Sequence, residues 1–300
     1  MMPKFRLTAC LMATLSLFAM APVVAHAQET ASVGAANTAA PLYSKVPERF
    51  RNAGAISVAI TTDAPPYQFY EEGSRNLKGV NLDLLKALSQ VTGVPFKLEA
   101  AAFPSILPGL QTKRFDMAVG PFGANPERLK VVNILNFLHV SQVFVGRSDT
   151  AFQINSLDDL CGRKVAEFQG DTNLATMKTQ AEKCQAAGRP ELALSVYKDN
   201  AAQWQGLFSG RDEVLISSAA FIQYRISTSK GAMKVVSPGI GDRNYIGWLI
   251  PKTDDELVGV LGEAMKLAMS SGAYGNVLKT WNIAGEALKE ARVNGEPLAN

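Results

Sequence analysis

Chemistry can be built around Arg128. It closes the run Gly120, Pro121, Phe122, Gly123, Ala124, Asn125, Pro126, Glu127, Arg128. That run follows an apolar stretch, turns on two glycines and opens a helix with Asn125 as N-cap and Pro126 at the first helical position. Free N–H groups at a helix start carry the positive end of the helix dipole, and an arginine three residues past the cap adds a two-pronged guanidinium, a combination suited to a carboxylate. The same pattern is also ordinary α/β scaffolding, so its meaning depends on the rest of the chain. A second turn of this kind holds Phe168, Gln169, Gly170, Asp171, Thr172 and Asn173. A third carries Asp63, Ala64, Pro65, Pro66 and Tyr67; there the bland alternative is a tight turn with a packed aromatic.

The elements that must position these turns alternate short β-rich runs with helical patterns, which signals α/β layers. Ile56 to Ile60 reads as a strand ending at the Asp63 turn, and Val80, Leu84, Leu85, Leu88 and Val91 recur at helical spacing. Phe96 to Ala101 is strand-like, a helix opens at Pro104, and Phe115 to Val119 is the strand that feeds the Arg128 motif. The second half repeats the scheme, with a strand from Arg163 to Phe168, helical patterns, and a strand over Glu213 to Ile216 ending at Ser217 and Ser218. In open α/β sheets ligands lie beyond the carboxyl ends of strands. Turns from the two halves can therefore face each other across a cleft and hold one small anionic solute.

Composition narrows the function classes. Lys4 and Arg6, an apolar run from Leu7 to Val24 and the small-x-small triplet Ala25, His26, Ala27 form an export signal with cleavage after residue 27. Cleavage removes Lys4 and Arg6 and lowers the formal charge from +3 to +1, which gives no field for nucleic acid or an anionic membrane. Three hundred residues exceed one usual core and predict two lobes. His139 is the one histidine left, in an apolar strand-like stretch, so neither a histidine metal site nor a histidine triad is expected, and no cofactor is implied. Cys161 and Cys184 are an even count in an oxidising compartment and read as a disulfide worth about 3 kcal/mol in the chain-entropy model, with two free buried thiols as the alternative.

In this order the motifs resemble the family 3 extracellular solute-binding proteins, the polar-amino-acid receptors of bacterial ABC importers. The carrying residues are Pro65 to Phe69, Gly79 to Leu84, Leu107 to Gln111, Pro126 to Arg128, Ser156 to Leu160, Gln169 to Thr172, and Gly272 to Tyr274 with Trp281. The resemblance implies an α/β type II periplasmic-binding fold of two lobes, each a mixed sheet flanked by helices, joined by two crossover strands. The divisions expected are a signal peptide over residues 1–27, a linker and lead-in over 28–54, a discontinuous first lobe over 55–146 and 244–284, a second lobe over 147–243, and a charged, frayed tail over 285–300. The Cys161 to Cys184 pair also looks like the bridge of one branch of that family.

By the same resemblance Arg128 matches the arginine that holds a ligand α-carboxylate, Thr172 matches a threonine of the second-lobe turn, and Phe168 and Gly170 line the cleft. Three positions depart from the pattern. Ala64 replaces a stacking aromatic, Gly123 replaces a Ser or Thr hydroxyl, and Ser218 replaces the Asp that takes the α-ammonium. A buried ammonium needs a carboxylate or several acceptors, so Asp63, Glu167 or Asp171 must substitute if the solute has an amine. The expected substrate-binding set is Asp63, Tyr67, Phe122, Gly123, Arg128, Phe168, Gly170, Asp171, Thr172 and Ser218. The expected protein is a monomeric periplasmic receptor, not an enzyme, that hands a small carboxylate-bearing solute, such as an amino acid or derivative, to an inner-membrane ABC permease. The alternatives are a dehydratase of the cyclohexadienyl or arogenate type with Glu167 or Asp171 as general acid, an organic-acid receptor, and a sensor.

Overall fold

The computed structural model describes residues 30–298 and, within them, the backbone alone at residues 30 and 241–243. The expected signal peptide over 1–27 lies outside the described residues. Strand β1 (Thr30–Val33) is followed by helix α1 (Glu48–Ala53), β2 (Ile56–Ile60) and a small sheet of β3 (Asp63–Ala64), β4 (Gln68–Tyr70) and β5 (Leu77–Lys78). Next come α2 (Val80–Thr92), β6 (Phe96–Ala100), α3 (Phe103–Gln111), β7 (Met117–Gly123) and α4 (Pro126–Val131). Strands β6, β2 and β7 run parallel, with Val58 facing Leu98 on one side and Met117 on the other. Period-two alternation sorts the two faces of this sheet. Val58 and Ile60 enter the main core with Leu84 and Leu88 of α2, while Ala59 and Ala118 join Ile106 and Leu110 of α3 in a separate cluster.

Two long strands carry the chain between lobes. Strand β8 (Val132–Arg147) spans 16 residues. After it come β9 (Lys164–Phe168), α5 (Asn173–Ala186), β10 (Ala193–Tyr197), α6 (Asn200–Phe208), β11 (Val214–Ser218), α7 (Ala219–Thr228), β12 (Met233–Val235) and the second long strand, β13 (Ile240–Pro251). The sheet path runs β1-β6-β2-β7-β13-β8-β11-β9-β10. β8 therefore pairs with β13 over its first part and with β11 from Gln142 to Gly146. Helices α8 (Asp255–Ser270) and α9 (Ala273–Thr280) then pack on the first lobe, and β14 (Arg292–Val293) with β15 (Glu296–Pro297) ends the description. The second lobe has its own core around Val165, Met177, Leu192 and Val214, closed by the Cys161–Cys184 disulfide with Cα atoms 5.6 Å apart.

A buried polar chain fixes the floor of the first lobe. Gln68 Nε2 donates to Thr61 Oγ1 at 2.7 Å, Asn81 Nδ2 to Gln68 Oε1 at 2.7 Å, and Trp248 Nε1 to Asn81 Oδ1 at 2.9 Å. The Asp63 turn, the start of α2 and β13 are thus held as one piece.

Two expectations need correction. The stretch over 28–54 is not a linker from residue 30 onward. β1 pairs antiparallel with β6 along the sheet edge, and Leu42 is buried in the main core together with Val46 and Phe50 of the expected amphipathic lead-in. Its apolar residues are too few and too widely spaced to show a period, yet enough to cover an edge. The tail is not frayed as far as residue 298. Leu288 and Ala291 are buried, β14 pairs with β8, Asn294 Oδ1 accepts from Ile134 N–H at 2.8 Å, and Gly295 N–H donates to Asn136 Oδ1 at 2.8 Å.

Candidate ligand-binding cleft

All ten expected binding residues line one cavity of about 660 Å3 between the lobes. Arg128 is only 5% exposed. Its position follows from local sequence: Asn125 Oδ1 accepts from the Arg128 backbone N–H at 2.7 Å, which caps α4 and aims the side chain inward. That N–H is spent on the cap, and the guanidinium is the group by which α4 reaches into the cavity. Arg128 Nη1 donates to Gly123 O, and Nη2 crosses the cleft to Gly170 O at 3.1 Å. Nε is buried without a partner among the described residues, and the guanidinium lies 5.9 and 5.8 Å from the ring centres of Phe103 and Phe122. Burial holds its pKa below the usual arginine range, opposed by the nearby Asp171. A carboxylate arriving here meets a poorly solvated cation with N–H donors to spare, the condition in which charge-assisted hydrogen bonds are strongest.

The two lobes touch at glycines for steric reasons. Gly170 has φ +89° and a Cβ there would lie 2.6 Å from a ring carbon of Phe103, so its residue type is fixed both by backbone and by neighbour. A Cβ at Gly123 would lie 3.0 Å from Thr172 Cγ2. Thr172 of the opposite lobe therefore occupies the space that a hydroxyl-bearing side chain at 123 would need.

Tyr67 is buried, and its hydroxyl is 2.9 Å from Ser218 Oγ across the cleft; burial raises its pKa. Ser218 is thus already engaged by a lobe-1 hydroxyl. Asp171 Oδ1 accepts from Asn173 N–H at 2.6 Å. Burial pushes its carboxyl upward, against the pull of Asn173 and Arg128. Asp63 keeps an exposed side chain; partial desolvation by the cleft walls and Asp199 of the other lobe push its carboxyl upward, with Arg225 acting in the opposite sense. Phe168 meets Phe103 edge-on at 5.6 Å, and Phe103 and Phe122 are 5.7 Å apart, giving the Arg128 end an aromatic wall.

Glu167 departs from expectation. It is fully buried and does not line the cavity, and among the described residues its carboxylate has no well-formed hydrogen bond, the backbone N–H of Phe168 giving only a weak opposing pull on its pKa. Alternation along β9 turns Phe168 toward the cleft and Glu167 toward the opposite face with Val165. Burial, reinforced by Asp171, raises its pKa well above the ordinary carboxylate range. His139 stacks on Tyr245 with ring centres 4.3 Å apart. Sequence reasoning missed Phe103, Gln142, Asp199 and Asn244, which also line the cavity. Proximity of residue 103 to the end of strand β6 was a usable signal; nothing local singled out the others.

Residues 56–284 match the family model of the bacterial extracellular solute-binding proteins, family 3, and the chain belongs to that family. It is 25% identical over 262 residues to the arginine-binding protein ArgT of Corynebacterium glutamicum, covering 86% of this chain and 84% of that one. Among solved structures it resembles a P235GK mutant of ArgBP from T. maritima, with a TM-score of 0.68 at 23% identity, covering 78% of this chain and 98% of that one. It also resembles the ancestral amino-acid-binding protein AncCDT-1, a precursor of cyclohexadienyl dehydratase, with a TM-score of 0.66 at 25% identity, covering 78% and 97%.

Proposed function

From that membership we propose that the protein is an exported receptor of an ABC importer. It closes its lobes, residues 55–146 with 244–284 and residues 147–243, on a small carboxylate-bearing solute, and delivers it as a monomer to an inner-membrane permease. The observation that carries this reading is Arg128. It is a buried guanidinium bonded to both lobes, with donors left over, in a cavity lined from both sides. In this reading the solute's carboxylate lies on Arg128, its body packs against Phe122, Phe168 and Tyr67, and Gly123, Gly170, Asp171, Thr172, Ser218 and Asp63 form the rest of the enclosure. Arginine-binding relatives make an amino acid or a derivative the first solutes to test.

Mass spectrometry of small molecules released on denaturing the purified protein, with a thermal-shift series of amino acids and organic acids, tests the proposal. A true ligand stabilises by about 2.7 kcal/mol at a hundredfold excess over its Kd. No released carboxylate and no shift with any carboxylate in the series would reject it. Enzyme activity of the dehydratase type is a second reading, favoured by the likeness to a dehydratase precursor and by the raised carboxyl of Asp171 in the cavity. Product appearing during the same incubations would establish it.

A further inference from the structure

The segment that carries Tyr67 meets the start of α7 and its next turns at two points, one inside the cavity and one beyond it. Ser218 immediately precedes α7, Phe221 in its first turn lines the cavity, and Tyr224 stands one turn further on. Tyr67 Oη lies 2.9 Å from Ser218 Oγ. Two residues along, Phe69 meets Tyr224 with ring centres 5.2 Å apart and planes tilted by 56°, and neither of these rings lines the cavity. Phe69 is held firmly from its own lobe. Trp281 approaches it edge-on at 6.0 Å and donates its Nε1–H to Asp83 Oδ2 at 2.8 Å, while the Lys78 ammonium stands 5.5 Å from the Phe69 ring centre. Gln68 beside it belongs to the buried polar chain. The first lobe thus presents a fixed aromatic seat to a half-buried tyrosine of the second. Arg225, next along α7, attracts Asp63 across the cleft against the repulsion of Asp199, and its guanidinium lies 5.0 and 5.3 Å from the ring centres of Trp204 and Phe221.

We infer that Phe69 and Tyr224 form a latch between the lobes, beyond the solute cavity, that sets how far the cleft is closed. Because neither ring lines the cavity, the pair forms whether the cavity is filled or empty, and it stabilises every closed state alike. Tyr224 is therefore a positioning residue, which raises the closed fraction without telling one solute from another. An aromatic pair of this kind shifts such an equilibrium by about three- to tenfold. Apparent affinity scales with the fraction of protein in the binding-competent form, so a solute that holds the closed form gains from the latch only as far as the empty protein is open. The effect on affinity rests on the receptor reading above; the latch itself does not.

The test uses the full chain with Tyr224→Ala and Tyr224→Phe, unfolded and refolded to strip bound solute. Small-angle X-ray scattering, fitted as a mixture of closed and open forms, gives the closed-to-open ratio. The unaltered protein should be mainly closed. Tyr224→Ala should lower the ratio by about three- to tenfold, and Tyr224→Phe, which keeps the ring, should stay within twofold of the unaltered protein. Calorimetric titration with L-arginine and L-glutamine should show Tyr224→Ala weakening both by one common factor, no larger than the change in that ratio. A ratio unchanged by Tyr224→Ala would overturn the inference, and a lower Tm with that unchanged ratio would mean the ring serves only the fold of the second lobe. An unaltered protein that scatters as an open molecule would overturn it as well. So would affinities for the two amino acids that change unequally by more than twofold, since Tyr224 would then be reading the solute. If neither amino acid binds the unaltered protein, the proposed function loses its leading solutes, and the scattering ratio still decides for the latch.

Discussion

The two walls of the cleft are built on different terms. On the first-lobe wall Thr61, Gln68, Asn81 and Trp248 form a continuous buried hydrogen-bonded chain, and Asn125 caps the turn that presents Arg128, while Arg128 Nε stays without a partner among the described residues. On the second-lobe side more buried oxygens have no partner among the described residues, including both oxygens of Glu167, Oδ1 of Asn200 and Oδ1 of Asp212. The second lobe relies instead on a covalent tie, Cys161 to Cys184. A fully paired network holds one geometry, whereas a wall with orphaned groups is held by its surroundings and is easier to rearrange. The Asp63 turn is therefore pinned by hydrogen bonds, whereas the second-lobe side carries more buried oxygens without a partner among the described residues.

Breaking the bond that joins the walls has the largest effect. Arg128→Ala should abolish stabilisation by any carboxylate that shifts the unaltered protein, with the ligand-free Tm within a few degrees. Arg128→Lys should fail to rescue, because one ammonium cannot reproduce the fork. Thermal shift with and without ligand checks this, and retained affinity in a destabilised Arg128→Ala protein would make the residue purely structural. Next, Cys161→Ser with Cys184→Ser should destabilise by about 3 kcal/mol in denaturant unfolding. Loss of that size without loss of affinity would show that the second-lobe tie serves the fold and not the face.

Asn81→Leu probes the opposite wall. It strands Gln68 Oε1 and Trp248 Nε1 and should cost about 1–3 kcal/mol for the orphaned groups, together with affinity, since the Asp63 turn is anchored there. A stable variant with unchanged affinity would dissolve the contrast between the walls. The smallest effect is expected at Glu167. Its folded pKa is raised, so between the ordinary carboxylate range and that raised value the folded state binds more protons than the unfolded one, and stability falls as pH rises. Glu167→Gln should therefore raise Tm at neutral pH, and the gain should shrink as the pH is lowered into the ordinary carboxylate range. A gain that is flat across pH would mean the side chain acts through packing alone.

Much of this was determined by the sequence by itself, wherever the code is local. The period of Val80, Leu84, Leu85 and Leu88 announces α2, and Asn125 with Pro126 announces the capped turn that aims Arg128, because caps and amphipathic periods depend on neighbours three or four residues away. The even cysteine count likewise anticipated the Cys161–Cys184 bridge. Only the tertiary structure decided what depends on register between distant segments. Tyr67 meets Ser218 across 151 residues. Strand alternation in β9 turned Glu167 away from the cleft that Phe168 enters. Residues 30–33 and 292–297 became an edge strand and a hairpin paired to the first part of β8 for the same reason. Short segments carry too few apolar residues to declare a face, and the sheet they complete is assembled from the rest of the chain.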